Sequence, residues 1–122
     1  MSTRPRPNHA LVVDDHDANR LLARTLLRKL GWTSDEAASG PAALRMVAQI
    51  RYALILLDIS MPEMSGEETC AAIRTMPDGS SLRIVAYTAH AFPDEKARIM
   101  TAGFDDLLIK PVNLQSLGAV LS

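Results

Sequence analysis

Apolar residues along the chain follow two alternating patterns. Short, nearly unbroken apolar runs have the length of strands buried on both faces: "HALVVD" at 9–14, "YALILLD" at 52–58, "LRIVAYT" at 82–88 and "DDLLIK" at 105–110. "WTSDEA" at 32–37 is shorter of apolar residues and suits a sheet edge. Between these runs the spacing turns helical. Ala18, Leu22, Leu26 and Leu30 mark one helix, with Gly31 placed where a C-terminal glycine belongs. Ser39 and Pro41 open a second, whose buried stripe is Ala43, Leu44, Val47 and Ala48. Ser65 and Glu68 have capping-box spacing and open a third, running to about Met76. "PDGSS" at 77–81 reads as a loop. Pro93 starts a fourth helix that stops at Gly103. A fifth, from Leu114, carries Leu114, Leu117, Val120 and Leu121 on one side.

Five strands and five helices in strict alternation predict right-handed βαβ crossovers. The expected class is α/β, a doubly wound parallel sheet covered on both faces. The 122 residues suit one domain, expected over 9–122, with residues 1–8 and their "TRPRP" as an N-terminal tail or linker. Apolar residues make up 48% of the chain but aromatics only 4%, so the core should be aliphatic.

Charge narrows the partners. The formal net charge of -1 supplies no bulk field for nucleic acid or an acidic membrane, so no direct contact with either is expected. Cys70 is the only cysteine, which rules out an internal disulfide. With no signal-peptide pattern at the start, it points to a reducing, cytoplasmic setting. No apolar run approaches the ~20 residues of a membrane span.

In a sheet of this kind, ligands collect beyond the carboxyl ends of the strands. The first strand ends in Asp14 and Asp15, the third in Asp58, the fourth in Thr88 and the fifth in Lys110. Three carboxylates on one rim repel, and without compensation one would keep its proton at neutral pH. A hard divalent cation and the Lys110 ammonium are the fitting compensation. Mg²⁺ takes oxygen ligands, usually one or two carboxylates plus water and phosphate oxygens. His9, His16 and His90 lie on separate segments, so no zinc cluster forms. Asp58 stands alone on the central strand and is the candidate nucleophile toward phosphorus. Phosphoryl transfer needs little more than positioning and stabilised oxygens. Mg²⁺ on Asp15 and Asp58, Lys110, the Thr88 hydroxyl and backbone N–H groups after Asp58 would supply them.

The pieces "VVDD" (12–15), "LLDISMPEMSG" (56–66), "AYTA" (86–89) and "KP" (110–111), in this order, resemble the receiver domains of two-component response regulators. The resemblance spans roughly 9–121. It implies a flavodoxin-like sheet of order 2-1-3-4-5. It implies that Asp58 accepts a phosphoryl group from a histidine kinase or histidine phosphotransfer domain. Asp14 and Asp15 would organise Mg²⁺ together with Asp58, and the backbone carbonyl of Ser60 would be a further ligand. Thr88 and Lys110 would contact the phosphoryl group, and the peptide before Pro111 would be cis. A dimer through the helix 4–strand 5–helix 5 face belongs to the same set of expectations. One position departs: such receivers usually carry Tyr or Phe three residues before the lysine, where this chain has Leu107. "DDHDANR" and the proline-rich lead-in resemble receivers fused to sensor kinases.

Plainer roles compete for the remaining residues. Asp17 reads as a helix entry and Trp32 as packing at a helix–strand turn. Cys70 and Met76 read as core fillers, and His90, two residues after Thr88, as a solvated loop residue. Two rival functions remain. An aspartyl-phosphate phosphohydrolase would need an Asp-x-Asp pair, but its second place is Ser60. A phosphate-independent interaction module on the same fold is favoured only by Leu107. No glycine-rich phosphate loop follows the first strand, which argues against nucleotide binding.

Overall fold

The computed structural model describes residues 6–89 and 92–121. Its elements run β1 (Arg6–Val13), α1 (Asp17–Lys29), β2 (Thr33–Ala37), α2 (Gly40–Gln49), β3 (Tyr52–Asp58), α3 (Gly66–Arg74), β4 (Ile84–Thr88), α4 (Pro93–Thr101), β5 (Asp106–Ile109) and α5 (Leu114–Leu121). The five strands form one parallel sheet in the order β2-β1-β3-β4-β5. The polar strand β2 lies at an edge and the most apolar strand, β3, at the centre.

Strand alternation divides the core in two. Leu11, Val13, Ile55, Leu57, Ile84 and Ala86 face Ala43 of α2, Cys70 and Ile73 of α3 and Ile99 of α4. Ala10, Val12, Leu54, Leu56, Val85, Tyr87 and Leu108 face Ala23 and Leu27 of α1 and Leu117 and Val120 of α5. Every second residue along a strand shares a face, so the register fixes which side each rim residue takes.

Helix ends follow their local chemistry. Ser39 caps α2 through its side chain, with Pro41 in the first turn. Ser65 and Glu68 form a complete capping box at α3. Gly31 and Gly103 adopt positive φ beyond α1 and α4, where a side chain would be strained. Gly66 meets a different demand: a Cβ there would overlap the carbonyl oxygen of Asp58. Its N–H donates to the Ile59 oxygen at 2.9 Å, so the start of α3 is pressed against the end of β3.

Three boundaries and faces differ from the sequence pattern. β1 starts at Arg6 rather than His9, passing through Asn8 at φ 54 and a register shift between Arg6 and Ala10. Backbone pairing of Arg6 with Tyr52 extends the strand beyond its apolar run. The tail residues 1–5 lie outside the described residues, as does His90. On α1 the buried positions are Arg20, Ala23 and Leu27, while Leu22 and Leu30 are exposed. Ala23 is small enough to let the helix approach the sheet, and Arg20 is drawn in by polar partners described below. On α5, Leu114 is exposed, and Leu117 and Val120 alone are fully inside.

Candidate functional site

The backbone ladder holds the sheet together up to the rim. Beyond the strands, the N–H groups of Asp14, Ile59 and Lys110 donate to Ala37, Tyr87 and Thr88 oxygens at 3.2, 3.3 and 2.7 Å. Asp58 is paired in register with Tyr87, and Thr88 with Ile109. Counting two by two from the buried faces places Asp14, Asp58, Tyr87 and Lys110 on the α1/α5 side. Thr88 and Leu107 fall on the opposite side, one row apart.

Lys110 joins the acids. Its Nζ lies 3.1 Å from Asp14 Oδ2 and 3.1 Å from Asp58 Oδ1. Asp14 is 0% exposed and Asp58 2%, so both carboxylates are almost completely removed from water. Asp58 Oδ1 also accepts the Ser60 N–H at 3.3 Å, and Asp14 Oδ1 accepts the His16 N–H at 2.9 Å. Burial, reinforced by the neighbouring Asp14 charge, holds the Asp58 carboxyl above its usual range; Lys110 and the Ser60 N–H only partly oppose this.

The donor set fits a hard cation. Asp14 Oδ2 and Asp15 Oδ1 are buried without a hydrogen-bond partner among the described residues, with the Lys110 Nζ and the His16 Nδ1 respectively 3.1 Å away. One ligand atom each of Asp14, Asp15 and His16 lies within 4.8 Å of the others. Buried anionic oxygens with lone pairs to spare suit an ion of the Mg²⁺ kind. Asp58 adjoins this group through Lys110. The site opens into a cleft of about 360 Å³, lined by Asn19, Asp58, Ser60, Thr88, Arg98 and Lys110 among others.

Leu107 is half-buried against the α2/α3/α4 core, beside Ala86 of β4. The Lys110–Pro111 peptide is cis. Trp32 packs against the α1/α5 core, and Cys70 is buried, with burial pushing its thiol up. Asp17 begins α1, and its first-turn carboxylate meets Arg20.

Two residues near the site lie inside quoted stretches, Arg20 in "DDHDANR" and Tyr87 in "AYTA", yet no role is legible for either from the sequence. Arg20 is 9% exposed, a position that charge alone would assign to solvent. Its Nη1 donates to the Asp14 backbone oxygen at 2.7 Å and its Nε to Glu36 Oε1 at 2.6 Å, and Nη2 also meets Asp17. It therefore ties the acid-bearing β1–α1 loop to the edge strand. Tyr87 is fully buried, and its ring carries the Lys110 Nζ 4.7 Å from the centroid. Burial and the charges of Asp14 and Asp58 push its phenol up to about 12, so it stays neutral. Periodicity marks Tyr87 as one more strand residue; only knowing that it aligns with Asp58 would reveal its place under the lysine.

Comparison with known proteins adds an independent line. The family profile described as response regulator receiver domain matches residues 10–122. The chain is 40% identical over 119 residues to sensor protein GacS of Pseudomonas syringae pv. syringae; the match covers 95% of this chain and 13% of that protein. It thus spans about an eighth of the length of that curated relative. Among solved structures it is similar to chemotaxis protein CheY4 of Vibrio cholerae, with a TM-score of 0.88, 29% identity, and 93% and 94% of the two chains covered. It is also similar to the receiver domain of sensor histidine kinase PA1611 of Pseudomonas aeruginosa PAO1, solved with magnesium coordinated in its active-site cleft. There the TM-score is 0.87 at 30% identity, with 95% of each chain covered.

Proposed function

The chain belongs to the response regulator receiver domain family, a family of two-component signal transduction, and from that premise we propose that it takes up a phosphoryl group on Asp58. The observation that carries the proposal is the Lys110 ammonium set 3.1 Å from both Asp14 and Asp58 at the rim of the sheet. A carboxylate in that place has a cation beside it before the donor arrives. An Asp58 carboxylate oxygen attacks the phosphorus of a phosphohistidine on a kinase or phosphotransfer domain. The P–N bond breaks, the imidazole leaves with its electron pair, and an acyl phosphate remains. Lys110 swings from Asp14 toward a phosphoryl oxygen, and the Thr88 hydroxyl, at the cleft wall, donates to another.

Asp14, Asp15 and Asp58 would hold Mg²⁺, with the Ser60 carbonyl as a further oxygen ligand. Bound there, the ion supplies charge neutralisation for the incoming phosphate. Ser60 stands where phosphohydrolases place a second acid, so the domain stores the phosphoryl group instead of turning substrate over. The receiver domain is proposed to span residues 9–122 and to work in the cytoplasm, as one module of a longer sensor kinase like GacS. Within the described residues, no helix is long and apolar enough to cross a membrane. Exposed Met100, Ile109 and Leu114 offer apolar surface for a dimer through the α4–β5–α5 face. With Leu107 half-buried, the output passes through that face without an aromatic ring turning inward.

Incubation with acetyl phosphate and Mg²⁺, followed by intact-mass measurement, tests the reading. Wild type gains one phosphoryl group and Asp58→Asn gains none. No gain in wild type, or an equal gain in both, overturns it.

A further inference from the structure

Tyr87 is a buried group that the phosphoryl reading leaves without a task. It sits on β4, aligned with Asp58 of β3 on one side and Leu108 of β5 on the other. It is 0% exposed, and its hydroxyl is buried without a hydrogen-bond partner among the described residues.

The ring has a neighbour that packing does not require. Lys110 Nζ stands 4.7 Å from its centroid while lying 3.1 Å from each of two carboxylates. A lysine side chain has four rotatable bonds, and two equidistant acids leave its ammonium two nearly equal partners. An aromatic face adds a third, directional attraction, strongest where water is excluded, as at this rim. The ring is itself locked by the packed α1/α5 core. It can therefore hold the ammonium at one height above the sheet, which neither carboxylate fixes alone.

We propose that Tyr87 is a positioning residue for phosphoryl transfer: its ring face holds the Lys110 ammonium at the junction of Asp14 and Asp58, and it acts on Asp58 only through that lysine. This deepens the phosphoacceptor reading and rests on it. The ring, not the hydroxyl, is the working part. Uptake of phosphate needs the ammonium to be ready at the phosphoryl oxygen as the P–N or P–O bond of the donor opens, and a wandering lysine is ready less often.

The test is a double-mutant cycle on the whole chain. Phosphorylation by phosphoramidate at saturating Mg²⁺ is followed by intact mass in wild type, Tyr87→Phe and Tyr87→Leu, each with Lys110 and with Lys110→Ala. Thermal unfolding is recorded in parallel to verify that each variant is folded. In the Lys110 background, Tyr87→Phe keeps the wild-type rate within about twofold and Tyr87→Leu loses about fivefold, the range a partly desolvated cation–π contact supports. In the Lys110→Ala background both replacements are neutral. Should Tyr87→Leu fail to fold, Tyr87→Met removes the ring with a more adaptable side chain and is read in the same way. Equal losses in both backgrounds, no loss at all, or Phe as slow as Leu overturns the proposal while leaving the phosphoacceptor reading intact. A wild type that takes up no phosphoryl group overturns both.

Discussion

The guanidinium of Arg20 donates to the backbone oxygen of Asp14 at 2.7 Å, so a side chain from α1 fixes the main chain of the first site acid. The same group reaches Glu36 on β2, and Arg24 meets Glu36 as well. Glu36 is correspondingly held below its usual carboxylate range, chiefly by the Arg20 hydrogen bond. A depressed acid contributes stability above its unfolded pKa and loses it as pH falls through the folded one. Arg20→Met should therefore cost about 1–2 kcal/mol in urea unfolding at neutral pH, with Glu36 half-exposed and partly screened. The deficit should shrink as the medium is acidified through the carboxylate range. Mg²⁺ titration by calorimetry should show several-fold weaker binding, because the loop bearing Asp14 and Asp15 is freed.

Asp58→Asn should behave in the opposite sense. The Asp58 carboxyl is raised, by burial first and by Asp14 second. The folded state therefore binds its proton more tightly than the unfolded chain. Below the unfolded pKa this costs nothing; as pH rises through the folded pKa the ionised form is held at a penalty. Asn removes that penalty, so the melting temperature without metal should rise by a few degrees at neutral pH and the gain should vanish under acid. Adding Mg²⁺ should stabilise wild type more than the variant, narrowing the gap.

Gly66→Ala should act at a distance from its own helix. The added methyl would overlap the Asp58 carbonyl, forcing α3 and the end of β3 apart. A loss of about 1–3 kcal/mol is expected from such overpacking. Because Asp58 itself shifts, the rate of phosphorylation by a small donor should fall along with the denaturation midpoint. An unaltered rate in a destabilised variant would show that the contact is purely architectural.

Tyr52→Phe probes the other end of the sheet. The Tyr52 hydroxyl donates to Asp35 Oδ2 at 2.8 Å, and its ring stacks on His9 with centroids 5.3 Å apart. His9 in turn contacts Thr33 and Asp35 through its two nitrogens. Removing one hydroxyl should cost about 1 kcal/mol, visible in thermal unfolding, with phosphorylation unchanged.

The fold was legible because the apolar runs and helix caps are local signals. "YALILLD" has the composition of an interior strand, and Ser65 with Glu68 marks a helix start by spacing alone. The acids at the rim were legible for a related reason: a strand that stops on a carboxylate displays it at the sheet edge. Arg20 was not, because a charged residue among helical leucines looks solvated until its partners from β2 and the β1 loop arrive by folding. The start of β1 at Arg6 was hidden too, since backbone pairing with Tyr52, rather than hydropathy, extends it. Tyr87 reads as a strand residue, and its relation to Lys110 depends on alignment across three strands.

That alignment makes the central strand a measuring rod that admits no error. Adding or deleting a single residue between Tyr52 and Leu57 would turn Asp58 toward the α2/α3/α4 layer, across the sheet from Lys110. The same edit in the 77–81 connection would leave that alternation intact, although it would disturb the 3-10 turn Gly79–Ser81, where Gly79 is pressed against the Ile73 carbonyl. Tolerance to length change in this chain should thus follow odd and even steps within strands, and engineers shortening or lengthening it have to cut outside them.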